Sequence, residues 1–312
     1  MANRHVRSIP IMGTIVTIDV LPRDVPVDDR DESCCSAIDR AFDWFRDVER
    51  VCNRFDPDSE LRQLARHPAT PVRVSDMLFT LVEFAIAVAS DTRGAFDPTV
   101  GARMEANGFA RDYRTGAVTS SGVASDPLVS FRDVHLDQAN RSVTIARPLL
   151  LDLGAVAKGL ATDLAARELQ PLSHFAIDAG GDLFVAGLNP DGNSWTIGVR
   201  HPRRDREFIE SVTVRNAAVC TSGDYERQAA GRHHILDPRD GGTAGRSASA
   251  TVIAPTAMVA DAFATAAFVL GPQEGVAFLE RHGTAGVIYS SSLERFATAG
   301  FPGQHASVLP NA

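Results

Sequence analysis

Cysteine is scarce in this chain. Its four residues, Cys34, Cys35, Cys52 and Cys220, form no C-x-x-C pair and match no zinc spacing. Cys34 and Cys35 are adjacent on a predicted helix, poor geometry for a structural staple, so reduced thiols in a cytoplasmic protein are expected. Positive charge is also in short supply. Against 39 Asp and Glu stand 31 Lys and Arg, a net charge of -8, which excludes the basic surface that non-specific nucleic-acid binding requires. It does not exclude an anionic ligand held locally by backbone N–H groups and a metal. No apolar run is long enough to span a membrane. The N-terminal MANRHVRSIPIMGTIVTIDV carries basic residues and a β-branched run interrupted by Gly13 and Asp19, which suits a strand and lacks the apolar core of a signal peptide. There is no Walker sequence, no G-x-S-x-G, no G-x-G-x-x-G and no internal repeat.

What is present reads as a globular chain, 44% hydrophobic and 22% charged, long enough for one large or two smaller domains. Alternation predicts a strand over 9–20, with Gly13 admitting a close approach. A Pro/Asp loop over 21–30 precedes an amphipathic helix over 33–51 that presents Ile38, Ala41, Phe42, Phe45 and Val48. A short helix over 58–65 is capped by Asp58 or Ser59, and a longer one over 75–90 by Ser75, with Val74 as a staple. GAFDPTVG (94–101) is a shaped loop, and the weakly patterned, glycine-rich 104–125 is the best internal boundary. A hairpin over 129–136 and 142–146 follows, then strands over 173–177, 183–186, 195–200, 207–215 and 217–221, a strand-like run over 233–236 and a strand over 250–255. Helices over 256–270 and 272–282 and a hairpin over 286–290 and 295–298 close the chain. The fold class is α+β with a large antiparallel component, not regular βαβ.

Three stretches hold residues able to do chemistry. In LDLGAVAKGLATDLAARELQ (151–170), a strand end, a glycine turn and a helix start can present backbone groups to an anion. Asp152 there can accept from a ligand hydroxyl or cap the helix; Lys158 can meet a phosphate or lie in solvent. On the helix after Pro255, Asp261 is the only charged side chain between Val252 and Leu270, and Thr265 lies one turn on along the same face. A carboxylate in such surroundings is costly unless it is hydrogen-bonded, paired or metal-bound. With a hydroxyl and waters it suits a hard octahedral cation such as Mg²⁺, and a backbone carbonyl from the glycine turn, with Ala155 well placed, can complete the site. The third stretch comprises SGDYER (222–227) and HHILDP (233–238), where a histidine can take a proton from a substrate hydroxyl or be one of a surface pair. In DAGGD (178–182) the glycines argue only a tight turn or backbone approach.

Taken together and in order, MGTIVTI (12–18), FDPDSELRQLA from Phe55, GAFDPTVG, LDLGAVAKGLATD, IDAGGD, TSGDYER, HHILDPRDG and APTAMVADAFATAAFVLG closely resemble the ApbE-like flavin transferases, the FAD:protein FMN transferases. The resemblance spans nearly the whole chain. It implies one domain over 1–312, an α+β structure of two lobes with the flavin site between them. It further implies FAD as substrate, Mg²⁺ as cofactor, and transfer of the FMN moiety to a Thr or Ser hydroxyl of an acceptor flavoprotein with release of AMP. Carried over by motif, Mg²⁺ falls to Asp261, Thr265 and the Ala155 carbonyl. FAD falls to Met12, Phe55, Ala95, Phe96, Asp97, Asp152, Lys158 and Ile235, and His234 is the base toward the acceptor hydroxyl. The chain departs from the family pattern at Phe55, where a tyrosine is usual, at Asp240, where Thr is usual after D-P-R, and at Gly242, a second glycine gained by that loop. Alternatives are a Mg²⁺-dependent FAD pyrophosphatase giving FMN and AMP, and a flavin-binding protein without turnover.

Overall fold

The computed structural model describes residues 4–23, 30–226, 228–229 and 232–305. Most of the predicted 21–30 loop and Arg227 of SGDYER therefore lie outside the described residues. The chain opens with β1 (His5–Ile11) and β2 (Thr14–Val20), paired from His5 opposite Val20 to Ile11 opposite Thr14. Met12 and Gly13 between them have φ of 52° and 75°, the two-residue turn whose twist matches a hairpin. The predicted single strand over 9–20 is thus the end of β1, the turn and the whole of β2. Alternation continues on both sides of the turn, and Met-Gly carries none of the usual turn chemistry ahead of its glycine.

Helix α1 (Arg30–Cys52) follows and buries the five apolar residues its spacing predicts. Burial of Phe42 and Phe45 contributes roughly 1.5–3 kcal/mol each. Helix α2 (Glu60–Ala65) is capped by Ser59, whose hydroxyl accepts from Arg62 N–H, and α3 (Asp76–Asp91) by Ser75, which accepts from Leu78 N–H. A short β3 (Val72–Arg73) joins β4 (Val134–Asp137) and β5 (Ser142–Ile145) in a small sheet of order β3-β5-β4. Helix α4 (Gly101–Ala106) occupies the start of the stretch read as loop, and irregular chain follows it.

From here the chain builds its centre. Helix α5 (Gly154–Leu169) leads to β6 (Phe175–Ala179) and β7 (Leu183–Ala186), then β8 (Trp195–Arg200), β9 (Phe208–Val214) and β10 (Ala217–Gly223). The two-residue strands β11 (Gln228–Ala229) and β12 (Arg232–His233) pair with each other. They precede β13 (Ser247–Ala254), α6 (Ala257–Leu270), α7 (Pro272–Arg281), β14 (Ala285–Ser290), β15 (Arg295–Ala297) and β16 (Gln304–His305). Among the described residues the main sheet has eight strands in the order β1-β2-β6-β7-β10-β13-β14-β15, antiparallel throughout.

Strand alternation divides this sheet into two faces. Phe175 and Ile177 of β6, Ala218 and Cys220 of β10, and Ala250 and Val252 of β13 face the helices and join the main core. Val185 of β7 and Val219 of β10 point the other way and pack against Val199, Val212 and Val214 of the β16-β9-β8 sheet. The sheet is therefore covered by α1, α5, α6 and α7 on one side and by a small sheet on the other. The candidate site residues Lys158, Asp261 and Thr265 lie on the helical side.

Candidate functional site

Helix α5 crosses α6 closely because Gly159 has no side chain: a Cβ there would stand 2.4 Å from Met258 Cα and 2.6 Å from Ala257 O. The crossing sets Lys158 beside Asp261. The Lys158 ammonium lies 3.1 Å from the Asp261 carboxylate and forms a second, closer ion pair with Asp182. Asp182 comes from the β6–β7 turn, where Gly180 and Gly181 have φ of 72° and 95°, conformations open to glycine. Its backbone carbonyl accepts from Ala179 N–H, so the turn and the ion pair are made by different parts of the residue. Both carboxylates are buried. Burial pushes the Asp261 carboxyl well above the usual range. Lys158 opposes that rise, Asp182 adds to it, and Gly159 N–H donates to the Asp261 carboxylate. Burial by itself lowers the Lys158 ammonium, but the two carboxylates outweigh it and the net direction is upward. Lys158 is thus neither solvated nor poised freely for a phosphate; it is the shared cation of two buried acids.

Thr265 sits one turn beyond Asp261, half-buried on a helix otherwise almost wholly covered. Its hydroxyl is 3.0 Å from Ser222 Oγ, which projects from β10 on the helix-facing side two residues after Cys220. The buried Cys220 thiol donates to the Ala257 carbonyl at 3.8 Å, and burial and then Asp182 and Asp261 push its pKa up. Ala155 lies half-buried in the first turn of α5.

At the start of α5, Asp152 accepts from Gly154 N–H at 2.8 Å and receives Arg54 Nε at 2.6 Å. Asp152 thus closes a turn onto the first residue of α5 and pairs with Arg54, while the N-cap position itself, Leu153, has no side-chain cap. Arg54 is buried, its guanidinium stacks 4.1 Å over the Phe55 ring, and one of its nitrogens, Nη2, donates to the Phe109 carbonyl. The Arg54 Nη1 is buried without a hydrogen-bond partner. Such a donor is costly unless something accepts from it. The 94–101 loop docks here: Asp152 N–H donates to Pro98 O and Gly101 N–H to Leu150 O. Asp97 spends both carboxylate oxygens on protein, accepting from Thr99 N–H, the Thr99 hydroxyl and Phe131 N–H. With Ala95 and Phe96 also buried, this loop can offer a ligand backbone more readily than the Asp97 side chain.

Met12 N–H donates to Glu49, which also receives the Tyr113 hydroxyl. His234 is half-buried and meets the Phe109 ring edge-on at 6.5 Å, which links the histidine island to Arg54 and Phe55. His233 faces Phe268 instead, as strand alternation requires, and burial lowers its pKa. Ile235 is buried, its carbonyl accepting from Ala244 N–H. In the following loop Asp240 accepts from Gly242 N–H, while Arg103 of α4 donates to Pro238 O. Asp240 thus closes an Asx turn, a task a Thr hydroxyl does more weakly. Arg54 and Asp182 were not singled out from the sequence. Each has a neighbour that could have drawn attention to it: Arg54 precedes the aromatic Phe55, and Asp182 ends the double-glycine turn.

The ApbE family model matches residues 12–288. The chain belongs to the ApbE family. It is 30% identical over 281 residues to the FAD:protein FMN transferase of Vibrio cholerae, covering 87% of this chain and 83% of that one. It is 34% identical over 269 residues to the enzyme of that name from Treponema pallidum, covering 78% and 74%. Among solved structures, the flavin transferase ApbE from Vibrio cholerae aligns with a TM-score of 0.82 at 27% identity, covering 96% of this chain and 99% of that chain. The ApbE protein of Thermotoga maritima aligns with a TM-score of 0.81 at 29% identity, covering 95% and 97%. The expected α+β fold of the ApbE flavin transferases is the fold observed.

The groups that the ApbE family implies can be tested against the side chains. No cluster of three or more His, Cys, Asp or Glu suited to a metal exists among the described residues. The oxygen donors at Asp261 and Thr265 fit a hard cation that keeps water or substrate oxygens, and do not fit zinc. The unpartnered Arg54 Nη1 beside the Phe55 ring fits an acceptor-rich aromatic ligand such as a flavin. A cavity of about 1030 Å³ lies elsewhere, at the C-terminal half of α5, lined by Trp44, Met77, Leu164 and Phe184. None of the predicted site residues lines it, so chemistry rather than volume locates the site. No described helix is long and apolar enough to cross a membrane.

Proposed function

We propose that this protein transfers the FMN moiety of FAD to a Thr or Ser hydroxyl of an acceptor flavoprotein, with Mg²⁺ and release of AMP. The observation that carries this reading is the meeting of α5 and α6, where Asp261, Thr265 and Lys158 stand beyond the Arg54–Asp152 pair at the start of α5. Both named relatives are FAD:protein FMN transferases, which supports the same conclusion. In this reading the ring of Phe55 and the guanidinium of Arg54 receive the flavin, with the 95–97 backbone, Met12, Asp152 and Ile235 around it. Asp261, Thr265 and the Ala155 carbonyl would hold Mg²⁺, which supplies charge stabilisation at phosphoryl oxygens when bound. His234 takes the proton of the acceptor hydroxyl as that oxygen bonds to the FMN phosphorus and the bond to AMP breaks. A single domain over 1–312 acting in the cytoplasm is part of the proposal.

The test is to incubate the protein with FAD, Mg²⁺ and a candidate acceptor, denature, and read flavin fluorescence on the acceptor band. Label on a Thr or Ser with stoichiometric AMP supports transfer. FMN and AMP released with every acceptor unlabelled would mean hydrolysis, and FAD left intact would mean binding alone. Asp261→Ala should abolish Mg²⁺ binding in a calorimetric titration, and an unchanged isotherm removes Asp261 from the metal site.

A further inference from the structure

Lys158 is the only lysine in the 312 residues; every other fixed cation in the sequence is arginine. It stands where a guanidinium would be least suited. Between two buried carboxylates a compact ammonium can address both, whereas a planar fork of five donors would leave several unmatched. Two carboxyl groups, Asp182 and Asp261, thus share one ammonium in a buried setting. Lys158 therefore occupies the flank of Asp261 as an internal cation, and any external cation binding Asp261 must compete with it.

We propose that Asp182 is a positioning residue that sets how readily Asp261 accepts a divalent cation, by giving the Lys158 ammonium a second carboxylate to stay on. This rests on the reading of Asp261 as the metal carboxylate. With Asp182 in place, a cation arriving at Asp261 leaves Lys158 still paired. Without it, the same event strands a buried ammonium, which opposes binding. The geometry suits this division of labour. Asp182 forms the closer pair with Lys158, and its side chain is not needed for the turn, whose bond to Ala179 uses the backbone carbonyl.

The sole lysine provides a direct reporter. The full chain, labelled with ¹³Cε-lysine, gives one lysine side-chain resonance, to be followed through a Mg²⁺ titration alongside calorimetry. In the wild type the resonance shifts as Mg²⁺ takes Asp261, and the two titrations give the same Kd. Asp182→Asn weakens Mg²⁺ binding about 10–100-fold, the range for a residue that supports a metal ligand. Adding Lys158→Met to that variant restores affinity to the wild-type level or better, and Lys158→Met alone binds Mg²⁺ at least as tightly as wild type. Wild-type affinity in Asp182→Asn, or no recovery in the double variant, overturns the role of Asp182. So does weaker binding in Lys158→Met, an arm that stands even where Asp182→Asn does not fold. Should Asp261→Ala bind Mg²⁺ like the wild type, the metal reading falls and this inference with it. Loss in Asp261→Ala with no loss in Asp182→Asn removes only the latter.

Discussion

His234 and His233 are neighbours in different surroundings, because successive residues of an extended run face opposite ways. His234 meets Phe109 on the Arg54 side, so His234→Ala should retain FAD binding, measured by equilibrium dialysis, and lose roughly 10²–10⁴ in transfer rate. An unchanged rate across neutral pH would take it out of the reaction. His233 faces Phe268, and burial holds its pKa below the ordinary histidine value. The unfolded chain therefore binds this proton first as pH falls, so folded-state stability drops below the unfolded pKa until the folded imidazole also titrates. Urea midpoints of the wild type should fall between about pH 7.5 and about pH 5.5 more than those of His233→Gln, and equal falls would refute this. Asp261 was legible as a lone carboxylate in an apolar helix, but its partners were not. Lys158 lies 103 residues away in sequence and Asp182 comes from a turn read as glycine geometry alone.

At the scale of elements, the α5–α6 crossing is what brings the charged cluster together. Gly159→Ala would push a methyl into the Met258 backbone, a close-packed contact with no flexible side chain to yield. Overpacking of this kind costs about 1–3 kcal/mol. The expected outcome is a lower melting temperature together with weaker Mg²⁺ binding, since spreading the helices moves the Ala155 carbonyl of α5 away from Asp261 and Thr265 of α6. A variant that loses stability but binds Mg²⁺ normally would show that the crossing distance does not matter to the site. The same contact is tied one turn further along α5 by Asp163, whose carboxylate accepts from Ala257 and Met258 N–H at 2.7 and 3.0 Å. Asp163→Ala should cost about 1 kcal/mol in urea unfolding, as the loss of a helix cap does. Helix propensity and capping made these elements readable, since Ser59, Ser75 and Thr256 all cap where sequence rules place a start. Asp163 was not readable as a cap, because it closes a different helix from its own.

Over the whole molecule, the candidate site lies on the helical face of the main sheet and the small β16-β9-β8 sheet covers the other. On the face away from the site, Glu210 of β9 is buried and accepts from the Tyr289 hydroxyl at 2.9 Å and from Arg295 at 2.7 Å, which fastens the small sheet to β14 and β15. The Tyr289 hydroxyl is pushed upward by burial and then by Glu210, so it stays a donor. Glu210→Gln should lower stability by about 1–3 kcal/mol through weakened pairing of Arg295, with Mg²⁺ and FAD affinities unchanged. Altered ligand affinity there would mean that the small sheet communicates with the site.

Sequence alone was enough for the local features: alternation and apolar spacing, caps, the polar islands and the eight ordered blocks that mark the family. These depend on near neighbours, whose geometry is set by strand and helix periods. Tertiary structure alone decided that Met12 and Gly13 split a strand, that Arg54 joins Asp152 to Phe55, and that one lysine is shared by Asp182 and Asp261. These depend on which segments an antiparallel sheet and a glycine-bearing helix crossing bring together. Buried charges find their partners across such crossings, where no periodicity in the chain announces them.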